Sequence, residues 1–141
     1  MLRSLSGNCL GPVGAASLAP ALAANGSLTS LDLSNNQLCG VDSNGWGTYR
    51  TWGTTAIADA LRVNGSLTSL DLSKNQLCGV TSWGSGTYTT EGITAIADAL
   101  RVNGSLTALN LSSNELKDEG VSAVCEAIQS NKETKLASLN F

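Results

Sequence analysis

The chain contains no histidine, one methionine, one phenylalanine and two prolines, and only 13% of its residues are charged. Without an imidazole there is no histidine general base and no mixed Cys/His zinc site. The four cysteines, Cys9, Cys39, Cys78 and Cys125, form no C-x-x-C pair, so neither a metal nor a cofactor is expected. Eight Lys and Arg stand against eleven acidic residues without clustering. A surface able to neutralise a run of phosphates is therefore missing, and nucleic acid is not expected as a partner. No apolar run approaches the roughly 18 residues that span a bilayer, and the opening MLRSLSGNCLGPVG has no continuous signal-peptide stretch. A membrane partner is not expected, and a reducing, cytoplasmic location is. A nucleophile elbow and a phosphate-cradling glycine loop are also lacking, so no enzyme is expected.

What is present is repetition. NGSLTSLDLSNNQLCGV starts at Asn25, NGSLTSLDLSKNQLCGV at Asn64 and NGSLTALNLSSNELKDE at Asn103, successive copies 39 residues apart. Shorter partial units flank them: Leu5, Asn8 and Leu10 precede Leu33, Asn36 and Leu38 by 28 residues, and Leu139 follows Leu109 by 30. Each unit reads L-x-x-L-x-L-x-x-N-x-L. Leu31 and Leu33 alternate with Ser30, Asp32 and Ser34, the period of a strand with one apolar face. Asn36, Asn75 and Asn114 stand where the chain leaves the strand, and stacked amides there can bond backbone groups that have lost their ladder partners.

Leu18 and Leu22, Ile57 and Leu61, Ile96 and Leu100, and Val124 and Ile128 are each four apart with alanines between them, which predicts a helix in each unit. The Asn-Gly pairs at 25–26, 64–65 and 103–104 are expected to stop helices through a left-handed glycine. Pro20 is expected to kink or shorten the first helix. The same Asn-Gly-Ser triplets, and Asn110-Leu-Ser112, fit a glycosylation sequon, but they are framework positions.

The leucine and asparagine pattern resembles the leucine-rich repeat family. The spacing of Asn114, Leu116, Gly120, Val124, Ala127 and Ile128 is similar to its ribonuclease-inhibitor subtype. The resemblance implies an α/β solenoid, a short horseshoe with parallel strands on the concave face and helices on the convex face. One unit buries about four or five Leu-sized side chains at roughly 1.5–3 kcal/mol each, too little to order 30 to 40 residues at about 1–2 kcal/mol apiece. Units must therefore stack. Residues 1–141 are read as one domain, a fragment or an uncapped array whose open ends could pair.

The long units depart from this pattern. Leu116 reaches Gly120 in four steps, whereas Leu38 reaches Gly53 and Leu77 reaches Gly92 in fifteen. Inserts are thus expected at about 39–52 and 78–91, each a small hairpin turning at Asn44-Gly45 or Gly84-Ser85-Gly86, with Thr48 to Thr51 β-prone. They carry Trp46, Tyr49, Arg50, Trp52, Trp83 and Tyr88 on Gly, Ser and Thr supports, a composition suited to rigid contact surfaces. The competing reading has Tyr49 stacked on Tyr88 and the indoles bracing the inserts.

The concave face presents Asp32, Asp71 and Asn110 among small residues, with no aromatic anchor. Asp32 and Asp71, about 5 Å apart on adjacent strands, fall short of the six to eight oxygens calcium takes. Cys39 and Cys78 occupy matching positions and are read as half-buried thiols, with a disulfide geometrically open. The expected function is a non-enzymatic protein-binding module using the aromatic inserts, with a carbohydrate partner possible. Homotypic assembly into a homodimer is the alternative.

Overall fold

The computed structural model describes all 141 residues. Strand and helix alternate throughout: β1 (Leu2–Ser4), α1 (Gly11–Ala24), β2 (Ser30–Asp32), α2 (Trp52–Val63), β3 (Ser69–Asp71), α3 (Glu91–Leu100), β4 (Ala108–Asn110), α4 (Lys117–Ser130) and β5 (Ser138–Asn140). The strands form one parallel sheet in sequence order. Leu31 lies opposite Leu70, Leu70 opposite Leu109, and Leu109 opposite Leu139. A slip by one residue would turn every one of these leucines to the other face, so the repeat itself sets the register.

Consecutive helices pack on one another, α1 on α2, α2 on α3 and α3 on α4, and the core lies between them and the sheet. Leu33, Leu72 and Leu111 from the strand exits meet Ile57, Leu61, Ile96 and Val124 from the helices, all fully excluded from water. Alanines at 58, 60, 97, 99 and 127 are buried between them and let the layers approach closely. No helix is long and apolar enough to cross a membrane.

The strand-exit asparagines form the expected ladder. Asn75 Nδ2 donates to Leu33 O and Leu72 O at 3.0 Å each, while its Oδ1 accepts from Asn36 N at 2.9 Å. Asn114 repeats this one unit on, donating to Leu72 O and Leu111 O and accepting from Asn75 N, each at 2.9 Å. All three asparagines are fully buried.

A second asparagine ladder runs along the helix ends, and here the expectation of glycine stops is corrected. Gly26, Gly65 and Gly104 are not left-handed. The chain instead leaves α1 and α2 by turning extended at Asn25 and Asn64. Asn64 Nδ2 then donates to Leu22 O at 2.7 Å and Asn103 Nδ2 to Leu61 O at 2.8 Å, capping the carbonyl-bearing end of the preceding unit's helix. Their Oδ1 atoms accept from Leu67 N at 2.8 Å and Leu106 N at 2.9 Å, which turns the chain toward the next strand. Asn131 continues the series on Leu100 O. Because these amide nitrogens are buried and already donating, Asn64 and Asn103 are closed to glycosylation.

The shortening expected at Pro20 does not occur. It lies inside α1, which is as long as α4 at 14 residues, so the helix is not shortened. The ring sits on the exposed side, where water can serve the carbonyl that loses its helical donor.

Candidate functional site

Between strand exit and helix start, the two long units build the same small structure. Gly40 and Gly79 turn the chain at φ 82° and 76°. Val41 then bridges Gly47 and Val80 bridges Gly86, each antiparallel. In the first hairpin Asp42 N donates to Trp46 O at 3.0 Å and Gly45 N to Asp42 O at 3.1 Å. The Asp42 carboxylate also accepts from the backbone of Asn44 and Trp46 at 2.9 Å each. Thr81 takes the matching role in the second hairpin, its backbone donating to Ser85 O at 2.9 Å and its Oγ1 accepting from Ser85 N at 3.2 Å. Gly47 and Gly86 are obligatory, because a Cβ on either would overlap the carbonyl oxygen of Gly40 or Gly79. Thr48 to Thr51, read as β-prone, form no strand; Arg50 N returns to Cys39 O at 2.8 Å and α2 starts at Trp52.

The hairpins lie side by side: a Cβ on Gly45 would meet Thr81 Cγ2 at 3.6 Å. Of the six aromatic-segment residues singled out from sequence, four are exposed. Trp46 is 78%, Trp83 85% and Trp52 46% accessible, and Arg50 is exposed as well. Tyr49 and Tyr88 depart from the expected exposed patch. Both are half-buried, and each phenol reaches one unit forward. Tyr49 Oη donates to Leu77 O at 2.7 Å and accepts from Gly92 N at 3.2 Å; Tyr88 Oη donates to Leu116 O at 2.5 Å, with Lys117 Nζ 4.5 Å above its ring. Neither phenol bonds the other.

Burial raises the phenol pKa of both tyrosines, further helped at Tyr49 by the Cys39 thiol. It also pushes Cys39 up to about 11 and Cys78 up to about 12. Both thiols are free, buried packing groups, with Cys39 Sγ 3.2 Å from Thr54 Oγ1. They are far from the thiolate form that a nucleophile needs.

On the outer face of the sheet, Asp71 accepts from Ser73 N at 2.8 Å and from Asn110 Nδ2 at 2.9 Å, and Asn110 accepts from Ser112 N at 3.1 Å. Asp32 accepts from Ser34 N at 2.9 Å and Ser4 Oγ at 3.1 Å. Burial pushes the Asp32 carboxyl up, but the Ser34 and Ser4 hydrogen bonds outweigh it and hold it below its usual range. These carboxylates thus serve as turn and cross-strand acceptors.

The helix-end asparagines and the forward reach of the tyrosines were not read from the sequence. The 39-residue recurrence of Asn in Asn-Gly-Ser was the available signal, but the glycine beside it drew the stop role to itself.

Two family models match, each described as a leucine rich repeat: one over residues 4–19 and 102–125, the other over 27–48 and 66–86. Together these cover more than half of the chain. No curated protein matches it in sequence. Among solved structures, one described as actin-binding site 2 of leiomodin-1 covers 99% of this chain and 68% of its own, at 21% identity and a TM-score of 0.67. The tropomodulin C-terminal domain of Caenorhabditis elegans matches more loosely, over 92% of this chain and 81% of its own, at 10% identity and a TM-score of 0.43. Period, sheet order and family models agree: the chain is a leucine-rich-repeat solenoid.

Proposed function

We propose that this chain is a non-enzymatic protein-binding module whose contact surface is the edge carrying Trp46, Trp52 and Trp83. The observation that supports this most is the cost of leaving three indoles in water. Trp46 and Trp83 stand 78% and 85% accessible on glycine-built hairpins whose framework is already held by backbone bonds and by Tyr49 and Tyr88. Trp is among the residue types most enriched at the energetic hot spots of protein interfaces. The outer sheet face offers only small residues and carboxylates engaged with their own neighbours. The fold it shares with an actin-binding site supports a protein as the class of partner, and purified actin is the first to assay. The units' helices favour the ribonuclease-inhibitor-like arrangement over strand-only repeats.

The two hairpins supply their own controls. Ser85 stands where Trp46 does, Asn44 where Trp83 does, and Glu91 where Trp52 does, 39 residues apart in each case. The variant Trp46→Ser, Trp52→Glu, Trp83→Asn therefore uses residues the fold already accepts. Binding to purified actin, and to proteins retained from an extract by the unaltered chain, is expected to be lost in this variant. Retention unchanged by the substitutions would refute the surface. A solution mass that falls from dimer to monomer on the same substitutions would assign it to a second copy of the chain.

A further inference from the structure

The first unit carries a cavity of about 190 Å³ whose apolar walls are Leu5, Leu18, Leu22, Leu28 and Leu31. It continues a column of leucines. Leu28, Leu67, Leu106 and Leu136 each stand two residues ahead of a strand, and those strands pair in register, so the four follow one another through the units. Leu67 and Leu106 are 0% and 2% accessible, whereas Leu28, which ends the column, stays half-buried and lines the cavity. The rim departs from the repeat in its own way. Leu31, Leu70, Leu109 and Leu139 hold the centres of β2 to β5, but β1 has Arg3 there, paired with Leu31. Arg3 lines the cavity, is exposed and has no carboxylate partner, the single ion pair of the chain being Arg101 with Asp98 at 3.4 Å.

Water against leucine walls finds no bonding partner, so its displacement by hydrocarbon is favourable. The two uncharged polar residues at the cavity are already engaged: Ser4 Oγ donates to Asp32 Oδ2 at 3.1 Å, and Asn25 Oδ1 accepts from Leu28 N at 2.6 Å. Arg3 is thus the free charged group at the rim. The ligand that matches is hydrocarbon with one anionic group, because peptide amides laid along the leucines would give up water without a partner. A guanidinium presents a fork of donors that suits a carboxylate. A leucine-lined cavity of about 150 Å³ holds benzene, so this one has room for about six to eight carbons. We infer that the cavity binds a medium-chain aliphatic carboxylate, its tail on the leucines and its head on Arg3. It shares no residue with the three-indole surface, and either can fail without the other.

The test is a titration of the intact chain with butyrate, hexanoate, octanoate and decanoate, read by the NMR methyl shifts of Leu5, Leu18 and Leu28, with octanol as the uncharged probe. Octanoate is expected to saturate with a Kd on the order of 0.1 mM, and octanol to bind about tenfold more weakly. Affinity is expected to rise about tenfold for each two carbons up to octanoate and to level off by decanoate, where the cavity is full. Arg3→Gln removes the charge at an exposed position and is expected to weaken octanoate about tenfold while leaving octanol and the urea midpoint unchanged. Ala21→Leu, a good helix former at an exposed position that lines the cavity, is expected to abolish binding of both. Equal binding of octanol and octanoate would overturn the carboxylate assignment. Affinity independent of chain length, or no saturable shift at all, would overturn the site. A dimer mass that Ala21→Leu converts to monomer would overturn the small-molecule reading and give the cavity to a second copy of the chain.

Discussion

Replacing Asn75 by alanine tests the ladder at its centre. The amide makes bonds at 3.0 Å to Leu33 O and Leu72 O, and accepts from Asn36 N at 2.9 Å and Leu38 N at 3.4 Å. The losses are unequal. Leu33 O keeps Asn36 Nδ2 at 3.1 Å and Leu72 O keeps Asn114 Nδ2 at 2.9 Å, so each carbonyl gives up only its second partner. That costs about 0.5–1.5 kcal/mol apiece. Asn36 N has no other acceptor and becomes a buried, unpaired donor, worth about 1–3 kcal/mol by itself. The sum is about 2–6 kcal/mol, a large share of the 5–15 kcal/mol that domains typically have. At a urea slope of roughly 2 kcal/mol/M, the unfolding midpoint followed by far-UV circular dichroism falls by about 1–3 M. Asn8, exposed at the edge and donating to Leu5 O at 2.7 Å, is the control. Asn8→Ala is expected to cost no more than about 1.5 kcal/mol. Equal effects of the two substitutions would refute the reasoning, because they would mean that burial and shared partners do not set the ladder's worth.

The remaining predictions concern the aromatic segments and the thiols. Tyr49→Phe removes both the donor to Leu77 O and the acceptor for Gly92 N, and is expected to destabilise the chain by about 1–3 kcal/mol in the same assay, more than Tyr88→Phe, which loses only the bond to Leu116 O. At neutral pH a thiol reagent is expected to label exposed Cys9 first and to reach Cys39 and Cys78 only on unfolding. The buried thiols also set an alkaline limit. Their folded-state values of about 11 and about 12 lie above the ordinary 9.0, so the native state keeps protons that the unfolded chain gives up. Their contribution is full below about pH 9 and is lost as pH rises through the folded values. A Cys39→Ala, Cys78→Ala variant is expected to show a shallower alkaline decline in urea midpoint between about pH 9 and 11, and an unchanged slope would contradict it.

The parts of the fold legible in the sequence were those that repeat and bury leucine. Leu31, Leu70, Leu109 and Leu139 pair as the period demanded, and Asn36, Asn75 and Asn114 bond as a polar residue on a core-facing position must. Glycine was misread because its freedom is visible in sequence while its use is not. Gly26 follows a helix yet never turns left-handed, whereas Gly47 is forced to by a carbonyl contributed seven residues earlier. Tyr49 and Tyr88 looked like Trp46 and Trp83 by composition. What separates them is reach: a phenol can end on a carbonyl of the next unit, and that distance exists only once the units are stacked.

A protein-binding Trp edge must be free in the isolated chain. Indole emission and quenching by a neutral aqueous quencher, recorded alongside solution mass, measure this directly. Accessibilities of 78%, 46% and 85% for Trp46, Trp52 and Trp83 predict red-shifted emission, close to that of a solvated indole, and ready quenching in a monomer. Blue-shifted, poorly quenched emission would contradict that prediction, and accompanied by a dimer mass it would show the edge already occupied by a second copy.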